Sequence, residues 1–123
     1  MSATVSTANG ERVVYACSGA ADVGEIADRA ARMIARAGSA RMSCLAGIGG
    51  CCEPVLETAR TAARILAIDG CTEDCARKAL EQAGLKGFQH LRVTDFNLEK
   101  GKAAVTVQNV SRVATRGQGL LNV

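Results

Sequence analysis

Apolar and polar positions along the chain alternate between the two periods that distinguish strands from helices. "RVVYAC", residues 12–17, is a β-branched and aromatic run that predicts a first strand ending at Cys17. "SGAADVGE" follows as a turn, with Asp22 placed to cap a helix. From Val23 to Ala37 the apolar residues Ile26, Ala27, Ala30, Met33, Ile34 and Ala37 recur at helical spacing, and Gly38 stands where a C-cap belongs. The same order then returns. "ARMSCLA" predicts a short strand holding Cys44, "GIGG" a glycine loop, and Pro54 the first turn of a helix, "PVLETARTAAR". "ILAID" is a continuous apolar run, as expected of a strand buried on both faces of a parallel sheet. Gly70 turns it into a helix from Thr72 to Ala83, closed by Gly84. "FQHLRVTDF" supplies a fourth strand and "NLEKGK" a loop. Val107, Val110, Val113 and Ala114 then suggest a last helix ended by Gly117, although "AAVTVQNV" also fits an edge strand.

Strands that alternate with helices across short loops predict an α/β fold: a parallel sheet of about four strands, in the order 2-1-3-4, with helices on both faces. Residues 1–10 are small, polar and without period, which predicts a flexible tail ahead of a single domain over 11–123. At 48% hydrophobic residues the chain can fill a core, and with 2% aromatics and no Trp that core must be aliphatic.

Charge and the lengths of the apolar stretches argue against two classes of partner. Lys and Arg outnumber Asp and Glu by 15 to 12, and the basic residues are scattered, without the basic stripe and stacking aromatics of a nucleic-acid surface. Arg29, Arg32 and Arg36 share a helix face, which reads as the solvated side of an amphipathic helix. The first ten residues hold neither a basic nor an apolar leader segment, and no apolar stretch reaches the roughly 18 residues that span a bilayer. A cytoplasmic protein that avoids membranes and nucleic acid is expected.

Six cysteines change the picture: Cys17, Cys44, Cys51, Cys52, Cys71 and Cys75. In a reducing compartment such thiols are better read as metal ligands or redox groups than as a disulfide framework. In open α/β sheets the binding crevice lies beyond the carboxyl ends of the strands. The predicted elements put Cys17, Cys44 and Cys71 at three strand ends and Cys75 one turn into the following helix, on the same helix face as Cys71. A helix start favours the thiolate that metals and electrophiles need. The opposing reading makes Cys44 and Cys17 small buried hydrophobes. Cys51 and Cys52 begin a helix and fit extra ligands, a reactive nucleophile, an iron–sulfur site or simple turn filler. Asp69 fits a group supporting the thiolates from behind or a cap for the next turn, and capping is favoured. His90 stands alone in a predicted strand and is expected at the surface. "GIGG" and "SGAAD" match no nucleotide-binding fingerprint.

"CSGAAD", "MSCLAGIGG" and "AIDGCTEDCARKALEQAG" together resemble the DGC-domain family, named for an Asp-Gly-Cys tripeptide that stands here as Asp69, Gly70 and Cys71. The likeness runs from about Arg12 to Asp95. It implies a small Rossmann-like domain and a zinc site, with Cys17, Cys44, Cys71 and Cys75 as ligands on the matching positions. Two departures stand out. Ala20 occupies a place where members often carry a further cysteine, which weakens a redox pair in that loop, and Cys51 and Cys52 are additions to the pattern.

The leading expectation is therefore a zinc-binding protein whose four-thiolate site lies at the carboxyl edge of the sheet. A thiol-based redox enzyme acting on disulfide, persulfide or metalloid bonds is the alternative, and an iron–sulfur protein the third. Reaction, substrate and oligomeric state are left open.

Overall fold

The computed structural model of the protein describes residues 10–122, so the expected tail, Gly10 apart, lies outside the described residues. The elements run β1 (Arg12–Ala16), α1 (Asp22–Arg36), β2 (Arg41–Met42), α2 (Leu45–Gly49), α3 (Glu53–Arg60), β3 (Arg64–Asp69), α4 (Cys75–Gln82), β4 (Gln89–Arg92) and α5 (Val107–Leu121). A 3-10 turn over Val93–Phe96 follows β4. All strand pairs are parallel and their order is β2-β1-β3-β4, the order expected from the sequence. Among the described residues no helix is long and apolar enough to cross a membrane.

The period of two in β1 and β3 feeds two cores. Val14, Ala16, Leu66 and Ile68 face α1 and α5, where Ile26, Ala30, Ile34, Val113 and Leu121 meet them. Val13, Tyr15, Ile65 and Ala67 face the other layer, against Ile48 of α2, Ala59 of α3 and Leu80 of α4. Central strands covered on both sides have no polar face, which is why "RVVYA" and "ILAI" read as unbroken apolar runs.

Several boundaries differ from expectation for local reasons. β2 stops at Met42, so Cys44 leaves the strand and stands at the N-cap of α2. The "GIGG" segment is mostly helical rather than a loop. Gly47 is needed there because an added Cβ would lie 2.7 Å from Cγ2 of Val55. α3 ends at Arg60, since Arg64 already belongs to β3. The helix expected from Thr72 starts at Cys75, because Asp74 holds a left-handed backbone, φ 53° and ψ 46°, that cannot lie within an α-helix. Cys71 therefore shares no helix face with Cys75; it belongs to the loop after β3. β4 ends at Arg92, with "VTDF" closing into the 3-10 turn.

Asp22 does not cap α1, whose N-cap is Ala21. Its carboxylate instead accepts hydrogen bonds from the amides of Val23 at 2.7 Å, Gly101 at 3.0 Å and Ala103 at 2.9 Å. It thereby ties the loop before α5 to the start of α1.

α5 runs through Gly117 to Leu121, and the edge-strand alternative does not form. Gly117 serves packing rather than termination, because a Cβ there would lie 2.9 Å from both Ile34 Cδ1 and Leu66 Cδ2. Gly117→Val is expected to destabilise the protein by about 1–3 kcal/mol through overpacking, read as a lower urea midpoint. An unchanged midpoint would show that the seam between α1 and α5 has room to spare.

Candidate functional site

The carboxyl ends of β1 and β3 lie side by side, and the backbone there is drawn together by glycine. A Cβ added to Gly24 would sit 2.8 Å from Gly19 Cα, and one added to Gly70 would sit 2.8 Å from both Gly24 N and Val23 C. No side chain fits between the two loops. In that contact the Cys17 amide donates to Ile68 O at 3.1 Å, and the Gly70 amide, 53 positions away in the chain, donates to Cys17 Sγ at 3.1 Å.

Cys17, Cys71 and Cys75 line one cleft of about 610 Å³ above this contact. Its walls are mainly apolar, from Val23, Leu45, Ala46 and Ala79, and Glu73 and Lys100 are its charged members. Lys100 Nζ lies 3.8 Å from Cys71 Sγ. Cys17 is half-buried, and burial pushes its thiol above the ordinary range; the Gly70 amide works against this and the charge of Asp69 adds to it. Without a metal, Cys17 is a neutral thiol at pH 7.

The DGC domain family matches residues 13–116, which is most of the chain. The chain belongs to the DGC-domain family. Over 88 residues, covering 72% of this chain and 67% of the relative, it is 38% identical to the anaerobic and virulence modulator AnvM of Pseudomonas aeruginosa. No solved structure matches the chain.

Each member of the tripeptide that names the DGC family has its own physical task here. Gly70 permits the loop contact and donates to Cys17, and Cys71 enters the cleft. Asp69 is 1% exposed and accepts from the first amides of α4, Ala76 at 2.7 Å and Arg77 at 3.0 Å. It caps the helix that begins with Cys75, from the end of the preceding strand. Asp74, at the N-cap position itself, makes no side-chain cap.

His90 is not at the surface. Its side chain is 18% exposed and Nε2 lies 2.9 Å from Asp69 Oδ2. Asp74, 2% exposed, receives Arg92 Nε and Nη2 at 2.7 Å each and Arg77 at 3.0 Å. Sequence reasoning missed this network because its members come from three elements. The available signal was the alternation in "QHLR", which puts His90 and Arg92 on one face of β4 beside the acidic end of β3.

Asp69, Asp74 and His90 offer ligand atoms within 4.8 Å of one another, the one such group among the described residues. Two guanidinium groups and two helix amides already occupy these carboxylates, so the group is an ion-pair network that braces α4. The thiols of the cleft do not all lie within 4.8 Å of one another. Cys44, exposed, is outside the cleft lining although its neighbours Leu45 and Ala46 belong to it. Cys51 and Cys52 are exposed on the turn between α2 and α3, Cys51 with φ 58°, and none of the six cysteines forms a disulfide.

Two predictions follow from this geometry. Gly70→Ala should lower stability by about 1–3 kcal/mol and speed alkylation of Cys17, while Gly49→Ala, with open space around it, should leave that rate unchanged. Equal rates in both variants would sink the proposed tie between the loops. The second concerns pH. Hydrogen bonds from Arg92 hold the Asp74 carboxyl below the ordinary range, against desolvation. A folded pKa below the unfolded one makes this contribution complete above about pH 4 and lost as pH falls below that through the folded value. Asp74→Asn should cost roughly 2–3 kcal/mol at neutral pH and show a shallower loss of stability in acid than the parent in urea unfolding. A parallel acid profile would assign the slope to other carboxylates.

Proposed function

We propose that this DGC-domain protein binds one zinc ion in the cleft, through Cys17, Cys71 and Cys75. The observation that supports this is the convergence of three thiols from distant segments on one cleft at the carboxyl edge of the sheet. The donor set suits the ion, because zinc favours thiolate sulfur. The thiols do not all lie within 4.8 Å of one another, so holding the ion would require their side chains to draw together. Binding releases the proton that Cys17 carries at neutral pH. Three thiolates around a divalent ion leave a net charge of minus one, which Lys100 and the N-terminus of α4 offset. Cys44, next to the cleft, is the chain's own candidate for a fourth ligand; Cys51 and Cys52 stand apart. Asp69 acts behind the ligands, fixing the start of α4 and with it Cys75.

Cys17 and Cys71 would hold the ion between the loop after β1 and the loop after β3, where it would serve ion handling or sensing. Free thiols in this number fit a reducing cytoplasmic setting. The thiol-redox alternative rests on a helix-start position for Cys71, and Cys71 belongs to the loop after β3, ahead of α4.

Elemental mass spectrometry on protein purified anaerobically tests the proposal. About one zinc per chain is expected, reduced in Cys17→Ser, Cys71→Ser and Cys75→Ser and kept in Cys51→Ser and Cys52→Ser. Full zinc occupancy in the double variant Cys71→Ser and Cys75→Ser would overturn it. A brown protein carrying iron and sulfide would replace zinc with an iron–sulfur cluster.

A further inference from the structure

We propose that the groove between α1 and the start of α5 docks an acidic segment of a partner protein, which seats one apolar side chain in the groove and lays carboxylates on Arg29, Arg32 and Arg36. The groove encloses about 210 Å³, and Met33, Val107 and Val110 line it together with these arginines. That volume is below the roughly 300 Å³ at which small-molecule sites begin, and it suits a single side chain. Val107 is 73% exposed, the one large hydrophobic residue so placed among the described residues. An aliphatic side chain held in water beside an open groove is stabilised by being covered.

Charge selects the occupant. From Arg29 to the end of α1, and along all of α5, no acidic residue occurs. Arg29 and Arg32 pair with Glu25 at 2.8 Å and Asp28 at 2.9 Å, one turn back on α1, in exposed contacts that are worth little in water. A guanidinium has donors to spare after such a bond, so each arginine can take a further carboxylate from outside. Arg36 is exposed and enters no ion pair among the described residues. The N-terminus of α5 opens on the same groove through its N-cap Thr106, with no acid in its first turn to meet the helix dipole. A nucleic acid would ask for aromatic side chains on which bases stack, and none lines the groove. A membrane surface would ask for a broad apolar face, and Val107 stands alone. A peptide with one apolar anchor between carboxylates matches both the small socket and its cationic rim.

Fluorescence anisotropy tests this with a labelled peptide of glutamates around one leucine, titrated with the full chain. Saturable binding is expected at low ionic strength and is lost as salt rises. Arg36→Glu should weaken it about tenfold and Val107→Ser about fivefold, both at an unchanged urea midpoint because these side chains are exposed. Lys78→Glu, exposed on α4 in the opposite layer, should leave it unchanged. Alanine in place of the leucine should weaken binding to the parent about fivefold as well. No saturable binding at low salt, or equal affinity in the parent, Arg36→Glu and Val107→Ser, would overturn the proposal. Equal affinity for the leucine and alanine peptides would overturn the seat in the groove. Tighter binding of a single-stranded RNA or of phosphatidylglycerol vesicles than of the peptide, lost in Arg36→Glu, would overturn it in favour of a nucleic acid or a membrane.

Discussion

The site depends on one close approach of bare backbone. Gly70, at the turn out of β3, lies so near the first turn of α1 that a methyl group at that position would overlap main-chain atoms of Val23 and Gly24. Interiors are packed at the density of organic crystals, and backbone cannot rotate away as a side-chain terminus can. The contact sets the height of both loops above the sheet, and so the separation of Cys17 from Cys71. It also brings the Gly70 amide to a sulfur acceptor, which leaves neither group without a partner in a half-buried place. A side chain at Gly24 or Gly70 would widen the cleft floor by pushing apart two otherwise rigid βα units.

A second layer of control is electrostatic. Asp69 and Asp74 are buried charges within a few residues of each other, an arrangement that is costly unless every oxygen finds a donor. The donors come from the first amides of α4, from Arg77, from Arg92 and from His90. They arrive from different elements, so the network is satisfied in one arrangement of α4 against β3 and β4 and left unpaired in others. Its work is specificity of placement for Cys75. A cation in the same cage would have to displace two arginines, which is why an apparent metal group made of two aspartates and a histidine is better understood as a brace.

The sheet was legible in the sequence because central parallel strands must be apolar on both faces, and only "RVVYA" and "ILAI" meet that demand at the right spacing. The edges were less legible. β2 is two residues long, too short to leave a periodic trace, and β4 shows one buried residue, Leu91, among partly buried neighbours. Asp74 misled the placement of α4, since a left-handed non-glycine residue is stabilised here by contacts with Arg77 and Arg92 that no local propensity contains. Gly117 misled in the opposite sense: a glycine in a helical pattern signals termination locally, and its real role belongs to the facing Ile34 and Leu66. His90 was misplaced for the same reason, because its partner is a residue of the neighbouring strand.

The cysteines divide along the same line between rigid and peripheral structure. Cys17 and Cys71 follow the central strands β1 and β3, and Cys75 opens a helix whose start is fixed by Asp69. Cys44, Cys51 and Cys52 all belong to the segment between an edge strand of two residues and α3, with a helix of five residues between them. Cys51 and Cys52 stand exposed on a turn whose backbone hydrogen bonds run through main-chain atoms alone, so their side chains carry none of the fold.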